Sequence, residues 1–301
     1  MKYEFQAITH CNMCGASSND AKILGKRLNM SQGMSPYKKA GITTTIMRCN
    51  KCDLIYANPL PIPYELSQHY GTPAEDYWNE DYFNIDPEYF QGCITRFKQL
   101  YDSDNVALKA LDIGAGIGKA VVALNNAGFD TYAFEPSESF YEKGLEVNKL
   151  DPEKFSCVTL ESAEYKKNTF DFITFGAVLE HLYDPSMAIL KAMDWLKIGG
   201  LMQIEVPSSK WLTSKIINSL YRIRGMDYVT NLSPMHSPFH IFEFGMKSFQ
   251  FHAENNDYSI AHSEYLVCNT HLPRIFDFML KPYMKMTGTG LQIEIWLRKE
   301  N

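Results

Sequence analysis

The amino-acid sequence predicts an α/β protein with a mostly parallel sheet, and three observations predict it. Apolar, strand-like runs alternate with amphipathic, helix-like runs between Ala107 and Pro207. The first of them, Ala107 to Ile113, ends in a glycine turn that leads into a helix pattern. Alternation of this kind implies parallel strands with helices on both faces. The last run, Leu291 to Arg298, follows no full-length crossover helix, so we expect it to pair antiparallel.

Composition narrows the class of protein. The chain has 301 residues and a net charge of −6, which argues against a nucleic-acid surface because such surfaces are usually basic. Its apolar runs are too short to span a membrane, and residues 1–5 lack the apolar core of a signal peptide. We therefore expect a cytoplasmic protein with reduced cysteines.

Two cysteine pairs with C-x2-C spacing lie in the predicted first domain, residues 1–60: Cys11, Cys14, Cys49 and Cys52. Four thiolates form the ligand set of a tetrahedral structural Zn²⁺, with no coordination position left open. Short strands predicted over Lys22 to Leu28 and Thr43 to Arg48 complete a zinc ribbon. Two disulfides, unrelated cysteines or a redox C-x-x-C are the alternatives, and the last lacks its usual βαβ context.

Residues 61–105 are predicted to connect this ribbon to the α/β domain. Ala57 to Pro63 is proline-rich and is expected to be extended. Tyr64 to Phe90 is dense in aromatic residues with weak periodicity, so either a lid over a pocket or a simple packing collar fits. A helix is predicted over Gln91 to Tyr101.

The α/β domain is predicted over residues 106–301. Its later strands are expected at Thr131 to Phe134, Phe155 to Leu160, Phe170 to Phe175, Leu201 to Pro207 and Ser259 to Asn269. Its helices are expected at Lys119 to Ala127, Glu138 to Leu150, Pro185 to Leu196, Trp211 to Arg224 and Met246 to Asn255. We expect residues 208–245 and 270–288 to be insertions that line a substrate pocket, the second containing an apolar stretch with two prolines.

The glycine turn decides between two nucleotide-like ligands. A dinucleotide fingerprint is G-x-G-x-x-G/A, in which the last small residue lets the helix pack closely. In this chain Gly114, Gly116 and Gly118 alternate, and Lys119 occupies the place of that last small residue. The match to an NAD-binding turn is therefore poor.

Five stretches in a fixed order resemble class I S-adenosylmethionine (SAM)-dependent methyltransferases: Leu111 to Gly118, Phe134 to Ser137, Phe170 to Phe175, Val178 to Pro185 and Leu196 to Gly200. The resemblance covers Ala107 to Arg298 and implies that SAM is the ligand of the glycine turn. It also implies the Rossmann-like sheet of that class, with an antiparallel last strand. A non-catalytic module with the same fold is the alternative from another class.

The resemblance and the spacing together give a set of cofactor-binding residues: Asp112, Gly114, Ala115, Gly116, Gly118, Glu135, Pro136, Glu161, Phe175, Gly176 and Ala177. Glu135 follows the second strand, where a carboxylate accepts hydrogen bonds from ribose hydroxyls. The resemblance places Asp112 near the ligand ammonium group and Glu161 near the adenine. Many relatives have Asp where Ala177 stands, so a side-chain role there is lost.

Three histidines are candidate general bases, because a hydroxyl nucleophile gains from a positioned base: His181, His236 and His240. Arg222 and Arg224 are a candidate clamp for a substrate phosphate. The ribbon followed by a SAM domain resembles bacterial sugar and natural-product methyltransferases. The sugar C-methyltransferases among them carry a further C-terminal domain with no counterpart after Arg298. We therefore expect O-methylation of a small acceptor, such as a sugar or nucleotide-linked sugar, with C- or N-methylation as alternatives.

Overall fold

The structure is a computed structural model that describes residues 3–27, 43–64, 83–84, 86–102, 107–232, 240–268 and 274–301. Its strands are β1 (Tyr3–Gln6), β2 (Lys22–Arg27), β3 (Thr45–Arg48), β4 (Ile55–Asn58), β5 (Leu60–Pro63), β6 (Lys109–Ile113), β7 (Asp130–Phe134), β8 (Phe155–Ser156), β9 (Phe170–Gly176), β10 (Leu196–Pro207), β11 (Tyr228–Val229), β12 (Phe242–Glu243), β13 (Tyr258–Leu266) and β14 (Gln292–Lys299). Its helices are α1 (Gln91–Leu100), α2 (Lys119–Asn126), α3 (Glu138–Asn148), α4 (Pro185–Trp195), α5 (Leu212–Ile223), α6 (Met246–Ala253) and α7 (Arg274–Thr287).

The main sheet has seven strands in the order β13-β14-β10-β9-β6-β7-β8. Strands β10, β9, β6, β7 and β8 pair parallel, whereas β14 pairs antiparallel with both β10 and β13. The predicted α/β class and the antiparallel last strand are therefore confirmed. The chain runs outward in both directions from β6 and β9, so the topological switch point lies between these two strands. That is where open α/β sheets bind ligands.

Helices cover both faces of this sheet because its central strands are apolar on both sides. Phe97 of α1 packs against Phe172 of β9, with ring centroids 5.0 Å apart, and Phe172 stacks on Trp296 of β14 at 5.6 Å. On the other face, Ile189 and Trp195 of α4 are buried in the larger core. Within the described residues, no helix combines the length and the apolar character needed to cross a bilayer.

A second sheet of five strands, in the order β11-β2-β3-β4-β12, joins distant parts of the chain. Strands β2, β3 and β4 form an antiparallel meander, and β11 and β12 add one edge strand each from within residues 208–245. A third sheet is the antiparallel pair of β1 and β5. The cysteines Cys11, Cys49 and Cys52 belong to the same hydrophobic core as Phe175 of the main sheet.

Two strands differ most from their predicted bounds. The strand predicted over Phe155 to Leu160 is limited to β8, an edge strand that pairs with β7 alone, and Cys157 beyond it is exposed. The strand predicted to begin at Leu201 begins at Leu196, because Leu196 already pairs with Phe170 and the register shifts before Leu201. Gly199 and Gly200 lie between Leu196 and Leu201. They were predicted to end the helix that begins at Pro185, but they form the irregular part of β10.

The predictions for residues 61–105 and 270–288 are corrected in part. Leu60–Pro63 is extended as expected, but it is a paired strand rather than a free linker. The apolar stretch of the second insertion is the helix α7, which tolerates Pro282 in its interior and has an Asp277–Lys281 ion pair of 3.6 Å. Most of the aromatic segment, residues 65–82 and residue 85, lies outside the described residues.

Candidate active site and cysteine cluster

The glycine turn lies at the carboxyl end of β6 and leads into α2. Gly114, Gly116 and Gly118 all have positive φ, at 67°, 56° and 78°, a conformation that glycine adopts without strain. A Cβ on Gly114 would lie 2.6 Å from Val178 Cγ2, and one on Gly118 would lie 2.2 Å from Leu150 Cδ1. All three glycines therefore suit the backbone shape, and Gly114 and Gly118 also allow close packing with neighbouring segments.

Glu135 lies beside this turn, as the sequence predicted. Its Oε2 accepts a hydrogen bond from the Gly116 N–H at 2.8 Å, and its Oε1 accepts one from the Ser137 N–H at 2.9 Å. The carboxyl group is 8% exposed, and burial raises its pKa to about 7. Asp112 precedes the turn at 5% exposure, where burial and the nearby Glu135 raise its pKa to about 8. Two acids thus converge on the turn, an arrangement that suits a positively charged ligand.

Two further acids at this edge of the sheet were missed by the sequence analysis. Glu205 of β10 pairs with Gly176 on one side and with Glu294 of β14 on the other. Burial raises the pKa of Glu205, and Glu294 adds to the rise. Like charges directly opposite each other destabilise an antiparallel pair, so a cation nearby would relieve this cost. Acids at the carboxyl end of β10 and on β14 were visible in the sequence, but their pairing depends on strand order.

The other predicted cofactor-binding residues differ in how far they are exposed to solvent. Phe175 is fully buried, whereas Gly176 and Ala177 are exposed at the end of β9. The Ala115 N–H, like that of Gly114, donates to the Phe134 carbonyl at 3.0 Å, and Pro136 is half-buried. Glu161 is exposed, and its backbone carbonyl accepts a hydrogen bond from Lys191 Nζ at 2.9 Å.

The structure brings two of the three predicted histidines together. His181 lies in a 3-10 turn, Leu179–His181, that follows β9, and His240 lies just before β12. Their ring centroids are 4.7 Å apart, and His240 Nε2 is 4.0 Å from Oε1 of Glu180. Glu180 is 1% exposed, and burial raises its pKa to about 8. His236 lies outside the described residues.

The side chains predicted to clamp a substrate phosphate are not buried in a pocket. Arg222 and Arg224 are both exposed at the end of α5. A phosphate-binding role for them stays a prediction.

The four cysteines of the C-x2-C pairs form one cluster, with Cys11 Sγ 3.4 Å from Cys52 Sγ and Cys14 Sγ 3.6 Å from Cys49 Sγ. Each pair closes in a tight turn, in which Gly15 N–H donates to the Cys11 carbonyl at 2.8 Å and Asp53 N–H donates to that of Cys49 at 3.1 Å. Gly15 and Asp53 both have positive φ, at 68° and 63°, as such knuckle turns require.

This cluster fits a tetrahedral metal ion. Four sulfurs at this separation match the edges of a tetrahedron with zinc–sulfur bonds of about 2.3 Å. The hydrogen bond with Cys52, burial and the neighbouring thiols raise the pKa of Cys11, and burial raises that of Cys14 to about 12. Four thiolates would repel one another here without a cation, so the cluster could hold a metal ion.

A family model described as a methyltransferase domain matches residues 86–269 of the chain. Among curated relatives, the ubiquinone biosynthesis O-methyltransferase of Coxiella burnetii is 28% identical over 170 residues, which are 54% of this chain and 67% of that protein. The protein of the same name from Bradyrhizobium diazoefficiens is 26% identical over 133 residues, which are 42% of this chain and 49% of that protein. The chain thus spans about half the length of that relative.

Superpositions on solved structures give TM-scores below 0.5 at low identity. A SAM-dependent methyltransferase from Methanosarcina mazei superposes with a TM-score of 0.49 at 17% identity, covering 69% of this chain and 97% of that one. The YcgJ protein of Bacillus subtilis gives a TM-score of 0.46 at 15% identity, covering 71% of this chain and 100% of that one.

Proposed function

The chain belongs to the methyltransferase-domain family, and its α/β domain is that of a SAM-dependent methyltransferase; we propose that it methylates an oxygen of a small acceptor. The observation that carries this proposal is the position of Glu135, which is hydrogen-bonded to the glycine turn at the topological switch point. Oxygen as the acceptor atom is supported by the relatives that are named O-methyltransferases.

We propose that the chain's own residues hold the cofactor as follows. Gly114 and Gly116 let the backbone approach the methionine part, Glu135 accepts from the ribose hydroxyls, and Asp112 lies near the ammonium group. The exposed Gly176 and Ala177 line the floor beside the sulfur. Glu161 is proposed near the adenine, and its exposure leaves its carboxylate available for that contact.

Bound SAM supplies a methyl group made electrophilic by its sulfonium. The residues around it then align the acceptor hydroxyl, which accounts for much of the acceleration of a displacement reaction. As the oxygen–carbon bond forms and the carbon–sulfur bond breaks, the hydroxyl proton passes to a base. His181 and His240 are the candidates, because His181 follows Val178, which packs against the glycine turn, and His240 lies beside the buried Glu180.

The class of acceptor is proposed from two sources that differ. The resemblance to zinc-ribbon methyltransferases favours a sugar or nucleotide-linked sugar, with residues 208–245 and 270–288 shaping its pocket. The names of the curated relatives favour a phenolic hydroxyl of a quinone precursor instead. Both acceptors present a hydroxyl, so the same site chemistry serves either.

We further propose that the cysteine cluster binds one structural Zn²⁺. Its support is the four converging sulfurs in two knuckle turns. All four would be used as ligands, which leaves no position for a reacting group. The same reduced cysteines favour a cytoplasmic location.

The proposed function is tested by calorimetry with SAM and by mass spectrometry of acceptor panels. We expect Glu135→Gln to weaken SAM binding by about tenfold or more, because a charged hydrogen-bond acceptor is lost. Glu138→Gln is the matched control, since Glu138 is exposed at the start of α3, and it should bind SAM as the wild type does.

Three outcomes of this experiment have different meanings. Absence of SAM and S-adenosylhomocysteine binding by the wild-type chain would contradict the proposal. Methylation of sugars but not phenols, or the reverse, decides the acceptor class. SAM binding without methylation of any acceptor would favour a non-catalytic module with this fold.

A further inference from the structure

We propose that Glu180, His181 and His240 bind a divalent metal ion that holds and activates the acceptor oxygen. Each residue offers one ligand atom, and the three atoms lie within 4.8 Å of one another. Two imidazoles and one carboxylate are a ligand set for zinc and other first-row divalent ions, and three protein ligands leave positions open. The role of the ion in methyl transfer rests on the proposed function, whereas its binding does not.

The strongest indication is the state of the Glu180 side chain. It is 1% exposed, and its Oε2 has no hydrogen-bond partner among the residues that the structure describes. A buried carboxylate oxygen without a hydrogen-bond partner is costly, because it has lost its hydration without a replacement. A metal ion bound at this oxygen supplies the missing partner and the missing charge.

The two segments that carry the ligands are already fixed to each other. The Ile241 N–H donates to the Glu180 carbonyl at 2.9 Å, which places His240 beside the 3-10 turn that holds Glu180 and His181. Ligand bonds of about 2.1 Å separate ligand atoms by about 3 to 3.5 Å. The 4.0 Å between His240 Nε2 and Glu180 Oε1 is close to this range. The three ligand atoms lie within 4.8 Å of one another, so side-chain rotations would have to shorten these separations by up to about 1–2 Å to close the site.

The location explains what such an ion would do. Val178, two residues before Glu180, packs against Gly114 of the glycine turn, so the three ligands lie close to the proposed methyl donor. An acceptor hydroxyl bound to the ion has a lowered pKa and releases its proton to water. The resulting oxygen attacks the methyl carbon, and the carbon–sulfur electron pair stays on sulfur. A ligating histidine cannot also act as a base, so the ion would replace that role.

The inference is tested by titrating the full-length protein, prepared with one Zn²⁺ per chain for the cysteine cluster and no further metal, with Mn²⁺, followed by calorimetry and electron paramagnetic resonance. Mn²⁺ prefers nitrogen and oxygen ligands, so it leaves the thiolate cluster undisturbed. We expect one Mn²⁺ to bind per chain. Glu180→Gln and His240→Ala should each weaken Mn²⁺ binding by more than about tenfold. The loss of a residue that only hydrogen-bonds to a metal ligand already weakens binding by about tenfold, and the loss of a ligand should cost at least as much.

A matched control comes from a second His–Glu pair. His262 Nε2 lies 3.2 Å from Glu264 Oε1 on β13, but this pair is not part of a three-donor group in the described residues. His262→Ala should therefore leave Mn²⁺ binding unchanged. Thermal unfolding and SAM calorimetry on every variant show whether the fold is intact, and His181→Asn replaces any variant that fails to fold.

Two results would overturn the inference. One is wild-type protein that binds SAM but no Mn²⁺, and the other is Mn²⁺ binding that Glu180→Gln and His240→Ala leave intact. In both cases SAM binding and methylation would persist and the proposed function would stand. A wild-type protein that does not bind SAM would instead contradict the proposed function. The Mn²⁺ titration would still decide whether the three residues bind a metal.

Discussion

The cysteine cluster and the group of Glu180, His181 and His240 bring together ligand-type side chains in opposite ways. The cysteines come from two tight knuckles and supply four donors, which would fill a tetrahedral ion completely. The second group supplies three donors from a turn after β9 and a segment before β12, at the edge of the sheet where the glycine turn lies. A filled set can only hold the fold together, whereas an incomplete set leaves room for a reacting molecule.

The two regions also differ in burial, and the cysteine cluster is the more deeply buried of the two. Cys11, Cys49 and Cys52 are at most 3% exposed within the main core. His181 and His240 are half-buried, and Gly176 and Ala177, which precede His181 in the chain, are exposed. Loss of the first region should therefore damage stability, and changes in the second should damage ligand binding first.

Removing a cysteine ligand should have the largest effect on stability. Structural zinc contributes on the order of 10 kcal/mol in isolated fingers, so Cys11→Ser should lose the metal and unfold the amino-terminal strands β1 to β5. Metal analysis and limited proteolysis measure this. The control is Cys157→Ser, because Cys157 is exposed and outside the cluster. A Cys11→Ser protein that stays protease-resistant without metal would show that the cluster is not a structural zinc site.

A side chain at the glycine turn should cost less. Gly118→Ala adds a Cβ that would lie 2.2 Å from Leu150 Cδ1, at a φ of 78°. We expect about 1–2 kcal/mol of backbone strain and a further 1–3 kcal/mol, roughly, of overpacking, measured by denaturant unfolding. Gly128→Ala is the control, because Gly128 also has positive φ but no atom lies within 4 Å of the position that its Cβ would take. Equal losses in the two variants would mean that packing against Leu150 is unimportant.

The smallest effect, taken per pH unit, is the pH dependence conferred by Asp112. Folding raises the pKa of Asp112 from 3.8 to about 8. The free energy of unfolding of the ligand-free protein should therefore fall as the pH rises through this range. A cationic ligand favours the ionised form, and SAM affinity should therefore increase with pH up to about 8. The free energy of SAM binding should change by at most about 1.4 kcal/mol per pH unit.

Asp112→Asn should flatten this slope in calorimetry at several pH values. Asp130→Asn is its control, since Asp130 lies on β7 in an ion pair of 2.8 Å with Lys154 that is partly exposed. That change should cost no more than about 1 kcal/mol and keep the slope. A slope that survives Asp112→Asn would assign the proton to another group, with Glu135 the first candidate.

Local patterns in the sequence predicted much of this arrangement. The glycine spacing, the acid at Glu135 and the C-x2-C pairs each depend on residues that are close in the chain, so their geometry follows from turn chemistry. The parallel order of the strands followed from the alternation of apolar and amphipathic runs. The antiparallel pairing of β14 was also predicted, but the reason for it was wrong, because the helix α7 lies directly before this strand.

What the sequence did not predict depends on distant pairing. The length of β8 and the early start of β10 are set by the neighbouring strands, which a single run of residues does not show. Strands β11 and β12 are two residues each and have no pattern of their own. The buried state of Glu180 also emerges only when His240 and Ile241 fold back onto it.

The shared five-stranded sheet has a consequence for how the chain reaches its native state. The amino-terminal meander β2-β3-β4 cannot gain its outer strands until β11 and β12 have been synthesised, because both come from beyond β10. Contacts between such distant segments slow folding and leave strand edges exposed in the interval. The meander therefore leaves the ribosome long before its partners, and this sheet should be completed only after strands β6 to β10 of the main sheet have been synthesised.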